Sequence, residues 1–151
     1  MANDPGPAQR ARPQTPEERV AGHNEFFGAK MPGLVGLRFT QVDEEAVVGH
    51  FPVTEPMVAG TGFVFAPAIV TMADTLCAAG VFLHAPDGTK SFTTVESKAN
   101  FVASTTEGDV IDGRATITHA GRTTQVWDVV ARSRDRERDL ALFRCTQMLL
   151  R

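Results

Sequence analysis

The longest apolar stretch of the chain, Ala66 to Leu83, is apolar nearly all round and carries one charged residue, Asp74, at its centre. Such a run predicts a helix of about eighteen residues wrapped on most sides by other structure. Upstream, Thr15-Pro16-Glu17-Glu18 has the marks of a helix start: Thr as N-cap, Pro in the first turn, then acids. That helix carries Val20, Phe26 and Phe27 to about Ala29, ending near Met31-Pro32-Gly33. The runs "LVGLRFTQVD" and "AVVGHFPV" flank the polar link Glu44-Glu45 and predict a hairpin. A loop through Pro56, Gly60 and Gly62 leads into the long helix, and Pro86-Asp87-Gly88 closes it. Four strand-like runs follow: "SFTTVESKANFV", "DVIDGRATITHA", "TTQVWDVVARS" and "DLALFRCTQMLL". Their connections at Glu107-Gly108, Ala120-Gly121-Arg122 and 135–138 are short and polar, which predicts that neighbours pair antiparallel. In the last run Ala141, Phe143 and Cys145 alternate with Leu142, Arg144 and Thr146, the period of two of a strand.

The predicted order is helix, two strands, one long buried helix, four strands. An antiparallel sheet needs a cover for its apolar face and the central helix needs wrapping, so the sheet is expected to curl around the helix in an α+β domain. One helix leaves the sheet edges unprotected, which favours a dimer that extends the sheet. We expect residues 1–16, with Pro5, Pro7, Pro13 and Pro16 and almost no large apolar side chain, to form a disordered tail, and 17–151 to form a single domain.

Composition narrows the class. Hydrophobic residues make up 42% and charged residues 22%, and the net charge of -3 gives no electrostatic reason to expect nucleic acid or an acidic membrane as partner. The segment "RSRDRERD" alternates sign and reads as a solvated hairpin turn. Ala66 to Leu83 has the length of a membrane span, but Asp74 and Gly80 interrupt it and no basic cluster flanks it, so a buried helix of a soluble protein is expected. Cys77 and Cys145 lie in apolar contexts and are expected as reduced core thiols of a cytoplasmic protein. His23, His50, His84 and His119 are scattered without metal-ligand spacing, and no metal is expected.

Asp74 is the residue that composition does not explain. A carboxylate withdrawn from water is costly unless it is paired or used. Asp74 is therefore either a hydrogen-bonding group tying the helix to a loop or a chemical group.

Met72-Ala73-Asp74-Thr75 in the central helix, Val95-Glu96-Ser97-Lys98-Ala99-Asn100-Phe101 in the next strand, and the turn His119-Ala120-Gly121-Arg122 occur in an order and spacing that resembles the hotdog-fold acyl-CoA thioesterases, in particular the phenylacetate-degradation (PaaI-like) type. The likeness spans roughly residues 20 to 150. It implies a hotdog fold and hydrolysis of an acyl-CoA thioester, with Asp74 as general base or nucleophile and Thr94 orienting the attacking water. It implies no cofactor, coenzyme A being part of the substrate. The family usually opens the central helix with His-Gly-Gly, whose first glycine N–H helps hold the thioester oxygen; this chain has Phe65-Ala66-Pro67 there, so the role falls to the Ala66 N–H.

Pro67 in the first turn leaves the N–H groups of Ala66, Ala68 and Ile69 without intrahelical acceptors, a helix start suited to an oxyanion. Asp74 lies seven residues beyond Pro67, about 10 Å along the axis, so one thioester carbon cannot sit against both. Two antiparallel central helices in a two-fold dimer solve this. Each site would take Asp74 and Thr94 from one subunit and Ala66 from its partner, in a homodimer or dimer of dimers. Phe63 and Phe65 at the helix entrance are candidates to line an acyl pocket. Lys98, Asn100 and Arg122 are candidates to meet coenzyme A phosphates, or else are solvated strand and turn residues. Thr75 reads as a helix residue bonding back to a carbonyl. Two other functions stay open: a non-catalytic acyl-CoA or hydrophobic-ligand binding protein, and a hotdog-fold hydratase or dehydratase.

Overall fold

A computed structural model describes residues 15–151; of the tail expected over 1–16, residues 1–14 lie outside the described residues, while Thr15 and Pro16 belong to the start of the first helix. The chain opens with α1 (Pro16–Gly28), capped as its sequence requires: the Glu18 N–H donates to Thr15 Oγ1 and the Thr15 N–H to Glu18 Oε2. Met31-Pro32-Gly33, expected only as the end of that helix, forms a separate short helix, α2 (Met31–Leu34). The hairpin follows as β1 (Arg38–Val42) and β2 (Val47–Pro52), then α3 (Ala66–His84). The remaining strands are β3 (Ser91–Phe101), β4 (Val110–Ala120), β5 (Thr124–Ser133) and β6 (Arg138–Leu150).

All six strands form one antiparallel sheet in the order β1-β2-β4-β5-β6-β3. The expected pairing of β3 with β4 is wrong. β3 pairs with β6, and residues 102–109 cross over to β4. Hydrogen bonds fix that crossover: Val102 N–H donates to the Leu140 carbonyl, Val64 N–H to Thr105, and Gly108 N–H to Val53. At its end Asp109, buried, accepts from the hydroxyls of Thr105 and Ser133 and from the N–H groups of Val110 (2.7 Å) and Asp135 (3.2 Å). Four donors around one carboxylate make a knot that a hairpin could not supply.

The inner face of the sheet packs on α3. Met72, Leu76 and Cys77 are wholly buried among Val47, Phe51, Ile111, Ala115, Trp127 and Cys145. By length and composition α3 could cross a membrane, yet here it is the core of the sheet. Gly80 is needed there, because a Cβ at that position would stand 2.3 Å from the Trp127 ring. The indole is held in turn: Trp127 Nε1 donates to Gln125 Oε1, and Gln125 Nε2 to the Val81 carbonyl. Cys77 and Cys145 are free and buried, as expected. The outer face carries ion pairs, including Arg144 of β6 with Asp128 of β5 and Arg134, just beyond β5, with Asp112 of β4.

The two sheet edges are treated differently. At β1 the Asn24 side chain of α1 donates to the Phe39 carbonyl and accepts from the Phe39 N–H, so the edge is capped. At the other end β3 is exposed along most of its eleven residues.

Candidate active site

Asp74 sits at mid-helix on the side of α3 that meets β3. Its neighbours Ala73, Thr75 and Leu76 are buried while Asp74 itself is half-buried. Thr75 donates back to the Thr71 carbonyl, the local role expected of it. Asp74 instead looks across to the sheet, where Thr94 Oγ1 donates to its Oδ1 at 3.1 Å. Burial pushes the Asp74 carboxyl above its ordinary value, and the Thr94 hydroxyl offsets part of that rise. With one donor on its carboxylate among the described residues, against four on Asp109, Asp74 lacks the satisfaction that marks a structural acid.

Thr94 reaches Asp74 because β3 carries a bulge. Thr94 pairs with Gln147 and Glu96 with Thr146, so Val95 is an extra residue in the ladder. In an unbroken strand Thr94, Glu96, Lys98 and Asn100 would share one face. The bulge separates them. Thr94 stays on the inner face beside Gln147, whereas Lys98 and Asn100 lie outside, opposite Arg144 and Leu142. Glu96 confirms the turn outward by accepting from the Thr146 hydroxyl at 3.1 Å. Thus β3 delivers Thr94 to Asp74 but directs Lys98 and Asn100 away from it. Arg122 is in the exposed β4–β5 turn, which the Gly121 N–H closes onto the Thr124 carbonyl.

The start of α3 forms a second locus. Phe65 is the N-cap residue with no side-chain cap, and Pro67 stands in the first turn. The expectation of three free N–H groups is corrected: Ala68 donates to the Phe65 carbonyl at 2.9 Å. The Ala66 N–H has no partner among the described residues. Phe63 and Phe65, 45% and 54% exposed, flank this end and offer apolar surface to a ligand. Eight residues of helix, about 12 Å, separate Ala66 from Asp74.

Sequence reasoning missed Gln147, which lies wholly buried on β6 with its Oε1 3.1 Å from Thr94 Oγ1. A signal was present: on the inner face of β6 the alternating Ala141, Phe143, Cys145 and Leu149 are interrupted by this one amide. Among the described residues no group of His, Cys, Asp and Glu could hold a metal ion.

A helix carboxylate with a strand hydroxyl beside it and a free N–H at a helix start is an arrangement for acyl chemistry. No curated protein matches the chain by sequence. Solved structures match it in shape. A mutant form of the thioesterase PA1618 from Pseudomonas aeruginosa superposes with a TM-score of 0.81 at 23% identity, over 93% of this chain and 96% of that one. The PaaI protein of the E. coli phenylacetic acid degradation operon gives 0.70 at 20% identity, over 87% and 93%. A hypothetical thioesterase from Streptococcus pneumoniae, solved with coenzyme A, gives 0.68 at 20% identity, over 76% and 85%. These likenesses establish the hotdog fold. The model of the thioesterase superfamily matches residues 61–139, from the approach to α3 into the start of β6, and so takes in Ala66, Asp74 and Thr94. By its residues and its fold alike, the chain belongs to the thioesterase superfamily.

Proposed function

We propose that this thioesterase hydrolyses acyl-CoA thioesters carrying a short, medium-length or aryl acyl group, with Asp74 as general base or nucleophile. The observation that carries the reading is the Asp74 carboxylate itself, half-buried and, among the described residues, held by Thr94 alone on a helix largely given to the core. As general base, ionised Asp74 takes a proton from water oriented by Thr94 while the water oxygen bonds to the thioester carbon. The carbonyl oxygen becomes an oxyanion facing the Ala66 N–H, and its collapse expels the coenzyme A thiolate, which takes up a proton. As nucleophile, Asp74 would bond to that carbon first and water would release the acyl group afterwards. Neither route needs a metal or redox cofactor.

Because Asp74 and Ala66 are too far apart in one chain, the site is composite, between two copies joined along β3. That edge is long, exposed and uncapped, unlike β1, and pairing it would bring the two α3 helices side by side. The coenzyme A solved with the Streptococcus pneumoniae relative supports the substrate class. Two free, buried thiols support a cytoplasmic setting. Free-thiol release from a panel of acyl-CoAs, run on wild type and Asp74→Asn together, tests the reading. We expect turnover on at least one member and its loss in the variant. Near-wild-type hydrolysis by Asp74→Asn would remove Asp74 from the mechanism, and binding without release on every member would make the protein a binder.

A further inference from the structure

We propose that Gln147 is a positioning residue for Asp74: its buried side-chain carbonyl is a second acceptor for the one proton of Thr94, and so sets how firmly Thr94 holds the Asp74 carboxylate. The inference rests on the reading of Asp74 above and deepens it.

Thr94 Oγ1 lies 3.1 Å from Asp74 Oδ1 and 3.1 Å from Gln147 Oε1, both acceptors. A hydroxyl has one proton and serves one of them at a time. While Asp74 is ionised the two acceptors compete, and Gln147, wholly buried, has no water to turn to instead. Once Asp74 is protonated the conflict ends. The carboxyl donates to Thr94 Oγ1 and Thr94 donates on to Gln147 Oε1, so Thr94 no longer has to choose between two acceptors. Compared with Thr94 acting alone, Gln147 therefore tilts the balance toward the protonated acid, and the row lets Asp74 hold the proton taken from water without breaking. Gln147 Nε2 contacts Cys145 Sγ at 3.5 Å, which keeps the amide oxygen turned to Thr94.

Among the described residues, the charged groups of the elements around Asp74 face away from it. Glu96 and Lys98 on β3, Arg114 on β4, Arg132 on β5, Arg144 on β6 and His50 on β2 lie on the outer face, as do Asp112 and Asp128 in their ion pairs. The short helix α2 has no titratable group, and His23 of α1 reaches α3 only near Ala79. On the inner side, among the described residues, the thiols of Cys77 and Cys145 remain, and the contact with Cys145 together with burial pushes the Cys77 thiol up.

The test follows the carboxyl carbon of Asp74 and the side-chain amide of Gln147 by NMR as pH is varied, in the whole protein. In wild type we expect the Gln147 amide to titrate with the midpoint of Asp74, and in Thr94→Val to stop doing so. Gln147→Met frees Thr94 to serve the carboxylate full time, so the Asp74 midpoint and the acid limb of kcat/KM should move down together by about half a pH unit. An unchanged midpoint in Gln147→Met overturns the proposal, and so does an upward one, which would mean that the amide is reversed and Nε2 donates to Thr94. Should Gln147→Met fail to fold, the wild-type and Thr94→Val titrations decide. These titrations need no turnover, so activity retained in Asp74→Asn would sink the catalytic reading while leaving the hydrogen-bond row to stand or fall alone.

Discussion

Thr94 on the edge strand β3 donates to Asp74 on α3 at 3.1 Å, twenty residues away in the chain, and is the hydrogen-bond partner of that carboxylate. Burial raises the Asp74 carboxyl and the Thr94 hydroxyl draws it back by stabilising the charged form. A base or nucleophile works only when ionised, so kcat/KM should rise with pH through a midpoint above the ordinary 3.8. Thr94→Val deletes the donor to the charged form and should move that limb up by about half to one pH unit, whereas Thr94→Ser should restore it. The pH profiles of the three proteins check this; an unmoved limb in Thr94→Val would separate Thr94 from the ionisation of Asp74.

The sequence carried the elements and their order well, because each had an independent physical signature: the Thr15 cap, the continuous apolar run of α3, the period of two in β6. Strand neighbours were less legible. Short polar connections suggest hairpins, but the one between β3 and β4 is a crossover tied by Asp109, and "TTEGDV" reads as an ordinary turn until Ser133 is brought beside it. Asp74 announced itself as an acid in an apolar run. The company it keeps did not, since the facing of Thr94, Lys98 and Asn100 depends on a bulge at Val95 that no local residue preference marks.

Asp74 should also weaken the fold that holds it. Its carboxyl is raised in the folded state, so between the unfolded and folded values the native chain binds more protons than the unfolded one. Stability present below the unfolded value is therefore lost as pH rises through that window, and at neutral pH the ionised, half-buried group leaves the protein weaker. Asp74→Asn should be more stable at pH 7 by roughly 0.5 to 2 kcal/mol while losing turnover, with the advantage shrinking toward pH 3.8. Denaturant unfolding of both proteins at the two pH values measures it.

Asp109 should behave in the opposite sense. Burial alone would raise its carboxyl, but the hydrogen bonds from Ser133, Thr105 and the N–H groups of Asp135 and Val110 together hold it below 3.8. Its contribution is in place above the unfolded value and lost as pH falls through the folded one. Asp109→Asn exchanges an acceptor-only group for an amide against donors on every side, and should cost about 2 to 3 kcal/mol at pH 7. The acid limb of catalysis should stay where it is, because Asp109 belongs to the crossover and not to the site. Unfolding midpoints and a pH profile of the variant read both halves of this expectation.

A composite site predicts rescue between two dead proteins. Asp74→Asn removes the base, and Ala66→Pro removes the N–H assigned to the oxyanion. Proline is tolerated at Ala66: the position is the first of α3, the preceding Phe65 is already extended at φ -67° and ψ 116°, and the Ala66 N–H has no partner to lose among the described residues. Each variant alone should form dimers with two defective sites. In a mixed dimer one site brings both substitutions together and is dead, while the other combines the intact Asp74 of one chain with the intact Ala66 of its partner. Unfolding and refolding the two together at equal amounts should therefore restore about one quarter of wild-type activity, half of the dimers being mixed with one working site in each. Refolding either variant alone should restore none. If the mixture is as dead as its parts, base and oxyanion donor come from the same chain, and the catalytic role of the Ala66 N–H is lost with the composite site.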